Sequence, residues 1–210
     1  MASAMAPVAL VHADPWLLAV DKPPGLLSQP GLGPQLRESL LGQVQRRWPT
    51  AQLVHRLDRD TSGLLVLALD PLSHRNLSLQ FQQRRVRKAY LAEVQGEVRG
   101  CSGRIDAPLA RLTARPPRYG VVPEGKAALT RWRLLARGPG WSRLLLQPRT
   151  GRSHQLRVHM AWLGHPILGD PLYGPGYPGR MRLHAWGLQL RHPHSGAPLR
   201  LRCAGHWGDR

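Results

Sequence analysis

The 210-residue chain reads as a mixed α+β protein. Three observations carry that assignment. Residues 64–69 form an unbroken apolar run closed by Asp70-Pro71, the pattern of a buried strand. Alternating runs at 129–136 and 141–147, and again at 183–190 and 198–203, flank Gly- and Pro-containing turns, as antiparallel hairpins do. Stretches of helical period begin at Pro34, Asp70 and Thr150.

Composition narrows the function classes. Hydrophobic residues make up 42% of the chain, which excludes wholesale disorder and allows one domain with a sizeable core. No apolar run approaches the roughly 20 residues that span a bilayer. Residues 1–10 lack a basic segment ahead of an apolar core, so a secretory signal is not expected. Cys101 and Cys203 make neither a disulfide framework nor a metal spacing, and a reducing cytoplasm is the expected location. The formal net charge is +18, and the lysines are only Lys22, Lys88 and Lys126. An Arg-dominated surface suits a polyanion, because guanidinium binds phosphate bidentately and stacks on bases. A composition bias alone would give the same charge.

Taken in order, residues 8–10 and 16–20 are short apolar runs around His12-Ala13-Asp14-Pro15, reading as two strands and a turn. Asp21-Lys22-Pro23-Pro24-Gly25 then breaks the chain. Residues 34–48 place Leu36, Leu40, Leu41, Val44 and Trp48 on one helical face, with Pro34 in the first turn and Pro49 as the stop. Residues 54–69 begin polar and end apolar. A loop holding His55, Arg56, Asp58, Arg59, Asp60, Thr61 and Ser62 therefore stands at the mouth of a rigid strand, where functional groups concentrate. Asp70-Pro71 supplies an N-cap and first turn for a helix to about residue 84, with Leu77 and Phe81 one turn apart.

Arg84, Arg85, Arg87 and Lys88 make a charge run, either a solvated surface or an RNA-facing edge. Residues 88–94 alternate as a strand carrying Tyr90. Residues 100–126, rich in Gly, Pro and Arg, predict loops and one short strand around Ile105. Arg111, Arg115 and Arg118 near Tyr119 could make a mobile loop for single-stranded RNA. Thr150 is placed to cap a helix whose inward face carries Arg152, Leu156, His159 or Met160, and Leu163. A turn-rich loop follows to Gly174, and the last two runs close the chain as a hairpin around residues 192–196.

His55-Arg56-Leu57-Asp58-Arg59-Asp60-Thr61-Ser62-Gly63 resembles the His-Arg-Leu-Asp-x-x-Thr-Ser-Gly signature of the RluA-type RNA pseudouridine synthases. Three further segments agree with that family in order. They are Lys22-Pro23-x-Gly25 with Leu26-Leu27-Ser28, then Lys88-x-Tyr90, then a long block. The block runs from Gly151-Arg152-Ser153-His154-Gln155-Leu156-Arg157-Val158-His159 through Gly164-His165-Pro166-Ile167-Leu168-Gly169-Asp170 to Tyr173-Gly174. The likeness covers about residues 16–203 and is weakest over 100–129. It implies a largely antiparallel, bent sheet in two halves with helices around a central cleft. One catalytic domain over residues 1–210 is expected, with residues 1–7 loose and, unlike many of the family, no separate small RNA-binding domain ahead of it. The opening segment and last block look most like the branch that modifies both ribosomal RNA and tRNA.

The chemistry so implied breaks the N1–C1′ bond of uridine, turns the uracil and joins C5 to C1′. The sugar carbon becomes electron-poor, and a carboxylate beside it can stabilise or trap that charge. By resemblance Asp58 is that carboxylate, acting as nucleophile or as base. Arg152 is expected to keep it charged and aimed. Tyr90 is expected against the uracil, helping to remove the C5 proton, and Arg56 in the space left by the flipped nucleotide. Leu57 and Leu156 would exclude water. Arg84, Arg87 and Lys88 are expected to bind RNA. A hydrolase would need a second carboxylate, and Asp60, the only close candidate, fits no such pattern. His154 and His159 stand five apart rather than four, and His192 and His194 lack a third partner, so no metal is expected. His55 and His154 read as hydrogen-bonders holding their loops. No stretch has a phosphate-cradle or dinucleotide spacing, so no cofactor is implied. The expected protein is a cytoplasmic monomer acting on ribosomal RNA, tRNA or both. The alternative is a catalytically silent RNA-binding or ribosome-assembly protein.

Overall fold

The computed structural model describes residues 8–205 except 32, 34, 35, 115 and 175–178. The expected loose N-terminus at 1–7, Pro34 and Arg115 lie outside the described residues. The chain begins with β1 (Ala9–Ala13), β2 (Leu17–Lys22), α1 (Leu40–Gln45), β3 (Gln52–Leu53), β4 (Ser62–Ala68) and α2 (Pro71–Gln82). It continues with β5 (Arg87–Gln95), β6 (Ser102–Asp106), β7 (Leu109–Ala114), β8 (Pro117–Val121), β9 (Leu129–Gly138) and β10 (Trp141–Pro148). Last come α3 (Gln155–Trp162), β11 (Leu183–Arg191) and β12 (Pro198–Arg202).

The α+β class is as the sequence predicts. Ten strands form one sheet in the order β1-β2-β4-β11-β5-β10-β9-β6, with β3 on β4 and β12 on β11. β4 and β11 run parallel, and the other described strand pairs are antiparallel. The sheet carries two cores. One gathers Leu17, Leu40, Leu65, Leu67 and Leu77 from β2, α1, β4 and α2. The other gathers Val94, Ile105, Leu144, Leu146 and Met160 from β5, β6, β10 and α3. Tyr90 packs against both.

β4 is buried along its whole length, as its unbroken apolar run requires of a strand covered on both faces. It meets β11 through Ser62 and Gly63 opposite His184 and Ala185. Gly63 has φ +108, and a Cβ there would collide with the Ala185 backbone. Glycine at this position lets the two halves of the sheet close directly behind the Asp58 loop.

Two expectations need correction. The helix expected over 34–48 is only α1, capped by Ser39, whose side chain accepts from Gly42 N–H. Leu36, assigned to its apolar face, is instead exposed and accepts through its carbonyl from Gly31 N–H. A serine satisfying an orphan donor outweighed the apolar period as the start signal. Within residues 100–126 the short strand expected around Ile105 is β6, but the expected loops also contain a separate hairpin, β7–β8. That hairpin is largely exposed, so its side chains lack the apolar alternation by which strands are read. α2, β5 and the two later hairpins fall close to their predicted bounds.

Candidate active site

The loop before β4 is pinned through its backbone. Leu57 N–H donates to Ser28 Oγ at 3.0 Å, and the same hydroxyl donates to Leu57 O at 2.8 Å. Buried Lys22 donates from Nζ to the carbonyls of Pro23, Leu26 and Arg59, at 2.8, 2.7 and 2.8 Å. Burial lowers its pKa to about 8 and outweighs the opposing charges of Asp60, Asp58 and Asp21. Gly25 N–H also donates to Arg59 O, and Thr61 N–H to Asp58 O. His55 accepts from Val66 N–H at 3.0 Å and stacks on Phe81. Its pKa is pushed down to about 3 by burial and then by the Lys88 charge, so the ring is neutral and can accept. The contacts to Leu57, Asp58 O and Arg59 O fix the backbone around Asp58 without using its side chain.

Asp58 faces a cleft of about 580 Å³, within the usual size of a ligand site. Tyr90, Arg152, Arg56, Leu156, Arg84 and Lys88 line the same cleft. Arg87 does not. It is exposed, one residue out of step with Lys88 and Tyr90 on β5, and strand alternation turns it to the other face. Lys88 donates to Thr150 O at 3.0 Å, and burial followed by the Arg84 charge lowers its pKa to about 8. Tyr90 lies at the floor, with its hydroxyl pKa raised by burial and then by the Asp58 charge.

Asp58 is paired with a different arginine from the one expected. Arg157 Nη1 donates to Asp58 Oδ2 at 3.3 Å, whereas Arg152 donates from Nε to Ala127 O at 3.2 Å. The physical reason is where α3 begins. Thr150 does not cap it. Thr150 Oγ1 donates to Gln155 Oε1, which also accepts Arg152 N–H, and His154 at the N-cap is left-handed with φ 54 and ψ 17. The helix starts at Gln155, later than expected, so Arg152 lies before it and Arg157 projects toward Asp58. Arg157 is itself fixed by Asp170 through two bonds, Nε to Oδ2 at 2.8 Å and Nη2 to Oδ1 at 2.7 Å. Burial opposes its charge, but the Asp170 bonds and charge, with those of Asp58, outweigh burial and raise its pKa. A buried arginine amid apolar helix positions needs a buried acid, and Asp170 supplies it.

His154, Tyr119 and Tyr173 complete the wall above Asp58. His154 Nε2 lies 3.9 Å from Asp58 Oδ2, and its Nδ1 lies 2.8 Å from the Tyr173 hydroxyl. Elsewhere, Asp21, His184 and Cys203 bring three potential ligand atoms within 4.8 Å of one another. Both His184 nitrogens are engaged there, Nδ1 with Ser62 Oγ and Nε2 with Cys203 O. Burial and then Asp21 push the Cys203 thiol up to about 12.

Residues 16–162 match the RNA pseudouridylate synthase family. The chain is 42% identical over 200 residues to the dual-specificity RNA pseudouridine synthase RluA of Yersinia pestis, across 92% of this chain and 97% of the relative. It is 40% identical over 209 residues to the ribosomal large subunit pseudouridine synthase D of Nitrosomonas europaea, across 92% of this chain and 60% of the relative. Among solved structures it is similar to human RNA pseudouridylate synthase domain containing 1, with a TM-score of 0.81 and 30% identity over 94% of this chain and 83% of the other. With a carboxylate facing an open cleft, a family match over residues 16–162 and relatives over 40% identical along most of the chain, this protein belongs to the RNA pseudouridylate synthase family, of the RluA type, an isomerase of uridine in RNA.

Proposed function

We propose that the chain works as a cytoplasmic monomer on specific uridines in folded ribosomal RNA, tRNA or both, with Asp58 as the group that acts on the ribose. The observation that carries this reading is the pairing of Asp58 Oδ2 with Arg157 inside the cleft that Tyr90 floors. Among the described residues no hydrogen bond is made to Asp58 Oδ1, which leaves that oxygen for C1′ or its neighbouring proton. The N1–C1′ bond breaks with its electrons going to uracil, the ring turns, C5 bonds to C1′, and C5 then loses its proton to solvent while N1 gains one, so the product is an isomer. Tyr90 offers the flat face on which the ring turns. Buried Leu57 and Leu156 keep water from intercepting the sugar. Arg56, exposed at the rim, fills the stack that the nucleotide leaves. Arg84 and Lys88 take backbone phosphate, which offsets the few kcal/mol of extrusion. Among the described residues no helix is long and apolar enough to cross a membrane.

The test is tritium release from 5-tritiated uridine in rRNA and tRNA taken from cells lacking the protein. Asp58→Asn is expected to abolish release while RNA binding persists. Release near the wild-type rate would remove Asp58 from the reaction.

A further inference from the structure

We propose that His154 is a positioning residue of the isomerisation, donating from Nε2–H to Asp58 Oδ2 so that Oδ1 faces the ribose. The inference rests on the reading of Asp58 given above.

Three observations lead to it. The first is the tautomer. Tyr119 N–H donates to the Tyr173 hydroxyl oxygen at 2.9 Å. Among the described residues, the acceptor in reach of the Tyr173 hydroxyl proton is His154 Nδ1 at 2.8 Å. A hydroxyl that donates to Nδ1 leaves the ring proton on Nε2. Burial lowers the His154 pKa more than the Asp58 charge raises it, so the ring stays neutral and the tautomer has meaning.

The second is direction. Nε2 faces Asp58 Oδ2 at 3.9 Å, the same oxygen that Arg157 holds at 3.3 Å. At 3.9 Å no hydrogen bond is made. Such contacts are commonly long before substrate binds and tighten in the complex. Two donors on Oδ2 would fix the carboxylate plane, so the oxygen presented to the sugar is always Oδ1.

The third is strain. His154 holds a left-handed conformation, φ 54, that residues other than glycine rarely adopt. The strained backbone aims the ring between Asp58 and Tyr173, with Tyr119 and Tyr173 edge-on to it at 5.2 and 5.7 Å. Tyr119 belongs to β8, so the seating of the β7–β8 hairpin is relayed through Tyr173 and His154 to the carboxylate.

A structural role and a donor role rank the substitutions in opposite orders. Asparagine tolerates the left-handed conformation best, whereas glutamine best reproduces a donor at the Nε2 position. Melting temperature and single-turnover tritium release from the same rRNA and tRNA are measured for His154→Gln, His154→Asn and His154→Ala. The asparagine variant is expected to melt highest of the three. The glutamine variant is expected to react within about tenfold of wild type, and the other two about 100-fold slower, at unchanged RNA affinity. Tyr173→Phe keeps the ring and the backbone but releases the tautomer, and is expected to slow release about tenfold. It decides the matter if the His154 variants do not fold. Release by His154→Asn equal to that of His154→Gln, or a wild-type rate in Tyr173→Phe, would overturn the proposal. Asp58→Asn runs alongside. Its activity would overturn both readings, whereas an inactive Asp58→Asn with the wrong ranking would overturn this one alone.

Discussion

The two walls of the cleft hold their charged groups by opposite means. On the β4 wall, Asp58 sits in a loop gripped at its own backbone atoms, Leu57 N–H and O by Ser28 Oγ and the Arg59 carbonyl by Lys22 Nζ and Gly25 N–H. On the α3 wall, Arg157 is held by the side chain of Asp170, and the helix start is set by the side chain of Gln155. Gln155 also donates from Nε2 to Leu129 O and Thr130 Oγ1, so this wall is stitched by side chains into β9. The difference teaches where each wall is fragile. The α3 wall, gripped at its side chains, fails when one charged partner is replaced, and the β4 wall, gripped at its backbone, also fails when that backbone loses its room, as beside Ala185.

The largest effect is expected at Arg157. Arg157→Ala leaves Asp170 buried without its partner, and removing one member of a buried ion pair costs about 3–5 kcal/mol. It also removes the donor to Asp58, so release from folded protein is expected to fall at least about 100-fold. Arg152→Ala removes only the bond to Ala127 O, and its rate is expected within about threefold of wild type. Thermal melting and single-turnover release on the two variants give the comparison directly. Equal losses would put both arginines in the reaction and restore the expectation that Arg152 serves Asp58.

The next effect tests the backbone wall. Gly63→Ala places a methyl group against the Ala185 backbone at φ +108. The strand cannot retreat, because β4 is buried on both faces and paired on both edges. A loss of about 2–4 kcal/mol in urea unfolding is expected from strain and overpacking together. A loss under about 0.5 kcal/mol, the range of ordinary surface changes, would show that the β4–β11 seam has slack and that the contrast between the walls is overdrawn.

The same contrast explains what could be read without coordinates. Asp58 was legible because a polar loop feeding an apolar strand keeps its order in sequence and in space. β4 needed no partner to be recognised. The arginine partner was not legible, because a helix turns about 100° per residue and a later start sends a different side chain inward. That start depends on Gln155 reaching back to Thr150 and Arg152 and on a left-handed His154, and neither leaves a period in the sequence. Residues 34–48 failed for a related reason, since Ser39 set the start of α1 against the apolar pattern. The β7–β8 hairpin failed because its strands bury too little to alternate. Tyr119 was legible only as the neighbour of basic loop residues and Tyr173 only as part of the family block, and the fold brings both beside His154.

A third, smaller effect separates the walls by pH. His55 belongs to the backbone wall, where it must be neutral to accept from Val66 N–H. Its pKa falls from 6.5 to about 3 in the folded chain. Between those values the unfolded chain takes up a proton that the folded chain refuses. Stability is therefore full above pH 6.5 and declines as pH falls toward 3. At roughly 1.4 kcal/mol per pH unit, acidifying to about pH 5 removes about 2 kcal/mol. His55→Gln keeps an acceptor without a titrating group, and its stability is expected to be lower at neutral pH but flatter on the acid side. An acid decline as steep as wild type would assign the pH dependence to other groups.

The smallest effect concerns β5, the strand shared by both walls. Lys88 and Tyr90 face the cleft, and Arg87 faces away. Each phosphate contact on single-stranded RNA contributes about −0.7 to the logarithmic salt slope of binding. Lys88→Ala is expected to flatten that slope by about 0.7, and to lose the bond to Thr150 O that ties β5 to the approach of α3. Arg87→Ala is expected to leave slope and rate within error of wild type, because strand alternation sets its side chain on the face turned from the cleft. Fluorescence anisotropy with tRNA and rRNA fragments over a salt series resolves slopes of this size. If Arg87→Ala flattened the slope as much as Lys88→Ala, RNA would have to wrap the outer face of β5 as well. The cleft would then mark where the chemistry occurs without marking the limits of the RNA-binding surface.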